Sequence, residues 1–257
     1  MREFFGFGGY QRPAEGYLSW QHLAFATFLM VVMVAAAILL GKRNKMRPME
    51  KKNTVLLWTA LIIDSFEIFK IVIISIRSED PMAFLRMLPL FLCSIQLIAI
   101  PMAALCKGRL KEASLDFVCI FGILGAVFGI YFAGQNYSCY PVLSIDNVVS
   151  GITHAISGFA SLYILISGMT SMKKQNMVIT FSILIGFCVA AYTANVLIDY
   201  NYMFLMAGDG TPYDILFNLV AGNKVLYPMS VVGLFLLYIT GYYLVYFAIT
   251  KRKKVAC

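Results

Sequence analysis

The stretch that decides the fold reads Asn147-Val148-Val149-Ser150-Gly151-Ile152-Thr153-His154-Ala155-Ile156-Ser157-Gly158. Asn147, Ser150, Gly151, His154, Ser157 and Gly158 recur at i, i+3, i+4, i+7, i+10 and i+11, so they line one side of a helix. The rest of the segment is oily. A polar stripe on such a helix must face protein or a water-filled cavity, because lipid offers it no partner. His154 is one of two histidines in the chain and lies well inside the stripe. An imidazole there is either a helix–helix staple or a piece of chemistry.

Working outward, the chain is 60% hydrophobic and 13% charged, with a mean hydropathy of +0.78. Those values exclude an ordinary soluble domain. Seven stretches are long enough to cross a bilayer, each near the ~20 residues a helix needs. They lie near 19–41, 54–76, 86–106, 115–133, 147–169, 177–198 and 225–249, joined by short loops. The expectation is an all-α membrane protein, a bundle of seven transmembrane helices in one integral membrane domain over residues 1–257. Residues 1–18 are aromatic, glycine-rich and polar, which is not the pattern of a cleavable signal peptide.

The net charge of +8 is distributed by loop. Lys42, Arg43, Lys45, Arg47, Lys51 and Lys52 separate the first two segments. Lys107, Arg109 and Lys111 follow the third, Lys173 and Lys174 the fifth, and Lys251 to Lys254 end the last. Every second loop is basic, the positive-inside pattern of an outside N-terminus and a cytoplasmic C-terminus in a multi-pass protein of the cell membrane. Anionic headgroups, not nucleic acid, are the partner this pattern implies. The six cysteines, at 93, 106, 119, 139, 188 and 257, show neither a disulfide framework nor metal-ligand spacing. Val255-Ala256-Cys257 is not a prenylation signal, since that motif needs three residues after its cysteine. No cofactor motif is read.

This topology assigns depths. The third segment enters near Arg86, so Cys93 lies seven positions in, roughly 10 Å at the helical rise. The fifth enters near Asn147, so His154 lies equally deep. A thiol and an imidazole at matched depth form a candidate nucleophile–base pair, with Asn195 or Asp199 at the end of the sixth segment as the group orienting the ring. Pro89 frees a carbonyl one turn before Cys93, and Gln96 follows on the same face. Gln96, Ser150, Ser157, Tyr192, Asn201, Tyr202 and Tyr227 are candidate substrate contacts. Asp64, Glu67 and Lys70 form a buried charge network, in which Glu67 and Lys70 neutralise each other across one helix turn. Thr211-Pro212-Tyr213-Asp214 reads as a helix start, with Ile215, Leu216, Leu219 and Val220 on an apolar face and a stop at Gly222, giving a short interfacial helix near 212–221.

Four stretches resemble the YwaF-like integral membrane proteins, a group related to the transmembrane protein 164 acyltransferase and, more remotely, to the androgen-induced-gene hydrolases. They are Trp20-Gln21-His22-Leu23, Leu88-Pro89-Leu90-Phe91-Leu92-Cys93, Asp146 to Ser157, and Asn201-Tyr202-Met203-Phe204-Leu205 with Tyr227-Pro228. The resemblance implies a lipid acyltransferase or acyl hydrolase using Cys93 and His154, with a lysophospholipid or fatty-acyl donor as partner. Other seven-helix classes fit less well. Segment seven has no mid-helix lysine for retinal. Two histidines are too few for a three-histidine zinc site, although His22, His154 and a carboxylate such as Asp199 leave a lesser metal reading. A transporter, ligand-binding or accessory subunit built on Asp64, Glu67 and Lys70 is the non-catalytic alternative.

Overall fold

A computed structural model describes residues 2–170 and 172–255. Among these residues it is all helical. The helices are α1 (Arg2–Phe5), α2 (Trp20–Asn44), α3 (Met49–Ser78), α4 (Gln96–Leu105), α5 (Gly108–Tyr131), α6 (Gly134–Cys139), α7 (Ile145–Ser167), α8 (Lys174–Ile198), α9 (Asp214–Leu219) and α10 (Leu226–Val255), with 3-10 turns at Ala83–Met87 and Tyr202–Phe204. Ala256 and Cys257, where the absence of a prenylation signal was read, lie outside the described residues, as do the side chains beyond Lys251.

Five helices are long and apolar enough to cross a membrane, namely α2, α5 (running on into α6), α7, α8 and α10. They leave large apolar side chains such as Phe28, Leu39, Val189, Leu197 and Leu237 exposed, as a protein solvated by lipid does and a soluble one does not. The chain is a multi-pass membrane protein. The α3 helix runs for 30 residues and carries Asp64, Glu67 and Lys70.

The expected continuous helix over 86–106 is replaced by a broken segment. Leu88 is extended (φ −61°, ψ 150°), as the residue before a proline prefers to be, and Pro89 has no amide to continue the ladder. Helix resumes only at Gln96. Cys93 therefore sits in a turn leading into α4 and not one-third of the way down a helix. The groups freed by the break find a partner at a distance in sequence. The Tyr202 hydroxyl donates to the Leu85 carbonyl at 2.5 Å and accepts from the Leu88 amide at 3.0 Å. Phe91 packs edge-on against Tyr202, 5.0 Å between ring centres.

The α7 helix lies between α2 and α5, and small residues explain how closely. A Cβ on Gly122 would fall 2.6 Å from the Ser157 carbonyl oxygen, and one on Gly158 would meet Met33 of α2 and Ala126 of α5. Half of the polar stripe is thus helix packing of the small-residue kind used in lipid. The helix ends where Gly168 turns left-handed (φ 71°), its amide and that of Met169 closing on Leu165 and Ile164.

At one end of the bundle Arg77 from α3 grips Asp146 from α7 through two hydrogen bonds of 2.7 Å. Tyr10 donates to the same carboxylate at 2.5 Å, and Arg77 also reaches the Phe5 carbonyl. Burial, with the Asp146 carboxylate second, pushes the Tyr10 phenol pKa up. Planar, two-pronged pairing suits a site this dry. The pair straps the N-terminal segment across the ends of α3 and α7.

Replacing Tyr202 with Phe keeps the ring and removes both bonds to the broken segment. Two part-buried backbone groups then lose a partner, each bond being worth about 0.5–1.5 kcal/mol. A clearly lower thermal unfolding midpoint in detergent is expected for Tyr202→Phe; an unchanged midpoint contradicts this account of the break.

Candidate functional site

Two glycines on α5 set the seats. Gly125 faces Cys93, where an added Cβ would lie 3.6 Å from the cysteine Cβ; Gly129, one turn on, faces His154, where it would lie 1.9 Å from the ring carbon Cδ2 and 2.1 Å from Nε2. The imidazole thus occupies the space a side chain at 129 would take. Its orientation is fixed from its own helix: Nδ1 lies 2.7 Å from the Ser150 carbonyl oxygen, an acceptor, so Nδ1 carries the proton. The Ser150 hydroxyl stands 3.5 Å from the same nitrogen. In the neutral ring this leaves the Nε2 lone pair free to take a proton.

Cys93, Ser94, Leu97, Thr153, His154, Ile63, Glu67 and Lys70 line one cavity of about 30 Å³. Cys93 and His154 thus share one cavity, while the hydrogen-bond partners of the thiol and of Nδ1 are Ser94 and Ser150. The volume admits a water molecule or a single reacting oxygen, not a lipid chain. Glu67 and Lys70, read from sequence as a separate structural pair, form their ion pair at 2.6 Å in the wall of this same cavity. Asp64, one turn earlier, has a buried carboxylate oxygen without a partner. The Glu67–Lys70 contribution was missed because periodicity gives a residue's face on its own helix and not the helix it faces.

Several expected site residues hold the scaffold. Asn195 does not orient the imidazole: its oxygen accepts from the Tyr202 amide at 2.6 Å and its nitrogen donates to the Tyr202 carbonyl at 3.0 Å. Asp199 caps α8 in a left-handed turn (φ 52°) and is exposed. Ser150 takes the orienting role instead, because a carbonyl four residues back lies directly under the ring. Asn201 closes its own loop through Ala207, Asp209 and Met206, and Tyr202 holds the broken segment as described. Tyr192 lies on the exposed side of α8, and Tyr227 is buried edge-on against Phe217 with its hydroxyl unpartnered. Ser157 is buried against α5 with an unpartnered hydroxyl, and Gln96 is buried with neither amide atom satisfied.

The short helix after α8 is also revised. Ile215 and Leu219 are 72% and 79% exposed, while Leu216, Phe217 and Val220 pack inward. The covered face is therefore rotated from the one expected, since Phe217 closes on Gly222 and Tyr227. His22 offers no metal ligand: Nδ1 accepts from the Leu18 amide at 3.2 Å, Nε2 sits 3.0 Å from the Ile130 carbonyl, and the ring stacks on Tyr137. Among the described residues no three His, Cys, Asp or Glu side chains converge as a metal site would require.

The two seats make opposite predictions. Gly125→Ala fits at ordinary contact distance and gains about 0.5–1 kcal/mol of helix propensity, so its unfolding midpoint should hold or rise. Gly129→Ala must expel the imidazole or part α5 from α7, an overpacking that costs about 1–3 kcal/mol. Thermal unfolding of the two variants side by side checks this; equal midpoints contradict the seating of His154.

Comparison with known proteins gives one positive result. A search of curated proteins finds no match, and neither does a search of solved structures. The model of the TMEM164 family matches residues 17–250, a range that includes the break at Pro89, both glycine seats, Cys93, His154 and the Tyr202 loop. This chain belongs to the TMEM164 family.

Proposed function

We propose that the chain is a membrane-embedded thiol-dependent acyl-transfer enzyme acting on phospholipids, with Cys93 as nucleophile and His154 as base. The observation that carries the reading is the shared cavity: His154, whose proton the Ser150 carbonyl holds on Nδ1 so that Nε2 is the basic nitrogen, lines the same small space as Cys93. In the first half-reaction Nε2 takes the thiol proton as sulfur attacks the carbonyl carbon of an acyl ester. The tetrahedral intermediate collapses, the ester C–O bond breaks, and the departing alkoxide takes the proton back from the imidazolium, leaving a thioester on Cys93. In the second half His154 deprotonates the hydroxyl of a lysophospholipid, which attacks the thioester and restores the thiol; water in that role makes the same site a hydrolase.

Lys70 belongs to this chemistry in the same reading. The oxygen of the tetrahedral intermediate gathers negative charge in a cavity scarcely larger than itself, and Lys70, with its ammonium, lines that cavity together with Ser94, whereas the Thr153 hydroxyl already donates to the Ser150 carbonyl. Glu67, at 2.6 Å, holds that ammonium in place. Donors fixed before the charge develops, in a site with little water, are where electrostatic stabilisation is largest. The acyl chain itself stays in lipid, beside the exposed apolar faces of the neighbouring helices.

The same proposal takes the chain through the membrane seven times, with α3 and the broken segment 83–105 joining the five apolar helices. The N-terminus is outside and the C-terminus cytoplasmic in the cell membrane, which puts the cavity in the outer half.

Acyl transfer from phospholipid to lysophospholipid by purified protein tests the reading. Cys93→Ala and His154→Ala should each lower turnover by at least about a hundredfold, with little further loss on combining them, because they act as one unit. The paired change Glu67→Gln with Lys70→Met keeps the cavity neutral and should lower kcat by about 10²–10³ with KM little changed. Full activity in Cys93→Ala would overturn Cys93 as the nucleophile, and no acyl transfer by the unaltered chain would leave the polar core as a ligand or transport site.

A further inference from the structure

At the opposite end of the bundle from Arg77 and Asp146, the turn between α2 and α3 folds around a hollow of about 310 Å³. Arg43 and Asn44 line it from the end of α2, Arg47 from the turn, and Lys51 and Thr54 from the first turns of α3; Leu40 and Val55 form its apolar floor. No acidic side chain lines it. Among the described residues none of Arg43, Arg47 and Lys51 takes part in an ion pair. The neutral polar groups are already occupied, with Asn44 Nδ2 donating to the Leu40 carbonyl and Thr54 to the Glu50 carbonyl. Three uncompensated cations around one concavity repel one another, and an anion seated among them relieves that repulsion. The N-terminus of α3 adds its positive end, since Pro48 caps it without a side-chain bond.

The rim decides between an anion from lipid and one from water. Met46 in the turn is 93% exposed, and Leu39 near the end of α2 and Met49 at the start of α3 are also exposed. Apolar side chains that flank a basic hollow at the end of membrane-crossing helices belong in acyl chains, with the hollow at headgroup level. A headgroup with one phosphodiester neutralises only one of the three cations. We propose that this hollow is a binding site for a phospholipid whose headgroup carries two phosphates, separate from the candidate acyl-transfer cavity. Lys51 and Lys70 lie on the same helix, about 28 Å apart at the helical rise, so one lipid headgroup cannot occupy both places.

Native mass spectrometry of the full chain, released from nanodiscs of phosphatidylcholine doped with cardiolipin or with phosphatidylglycerol, tests this without reference to catalysis. Cardiolipin adducts should survive preferentially, and the triple change Arg43→Gln, Arg47→Gln and Lys51→Gln should reduce them at least about tenfold. A charge-matched control, Lys107→Gln with Lys174→Gln and Lys251→Gln, should reduce them less than about twofold. Equal loss in both triples would overturn the proposal in favour of diffuse attraction to the basic end. So would phosphatidylglycerol retained as well as cardiolipin, or inorganic phosphate displacing both lipids from the wild-type chain, which would make the hollow a site for the free anion.

Discussion

A break in a packed helical segment frees amides and carbonyls that need new partners, and the candidate site depends on how this chain supplies them at Leu88-Pro89. Tyr202 answers it from a loop more than a hundred residues away, giving to Leu85 and taking from Leu88 with one hydroxyl. Asn195 in turn grips both backbone groups of Tyr202. The end of α8 is thereby tied to the broken segment, and Phe91 is caught among Tyr200, Tyr202 and Phe204. Cys93 follows two residues later. A turn that would otherwise be loose thereby carries its thiol in a defined position.

The second element of the site is braced independently. His154 is seated against the bare backbone of Gly129 and oriented by Ser150, both within the close contact of α5 and α7. Glu67 and Lys70 come from α3, whose far end is tied to the start of α7 by the Arg77–Asp146 pair. Asp146 is buried, Arg77 is half-buried, and both also bond Tyr10, so losing Arg77 leaves an unpaired carboxylate largely out of water. Three elements converge on one small cavity, and each is fixed by an interaction outside it.

Much of this was legible in the sequence. The period of Asn147 to Gly158 gave the helix face, and the alternation of basic loops suggested that Cys93 and His154 share a depth. What the sequence did not give was neighbours. Asn195 looked like a ring-orienting group because its residue type and depth suit that role, yet the nearest unsatisfied groups were those of Tyr202. Tyr202 itself stood out only as part of a family-like stretch. The break at Pro89 was visible as a proline, but its extent, eight residues without helix before Gln96, depends on a hydroxyl supplied from elsewhere. Gly125 and Gly129, four apart on an apolar helix, were a readable signal of close approach; which side chain approaches is set by the register of α7. Asp146 carried no visible role, since its partner Arg77 lies on another helix.

In the proposed reaction the Cys93 sulfur carries the acyl group between lipids. Intact-protein mass spectrometry after brief incubation with phospholipid, quenched in acid, measures this directly. The account predicts a mass increase of one acyl group, lost on treatment with neutral hydroxylamine as a thioester is, and absent from Cys93→Ser and from His154→Ala. Acyl transfer proceeding with no adduct on Cys93, or an adduct that persists in Cys93→Ser at another cysteine, would contradict it.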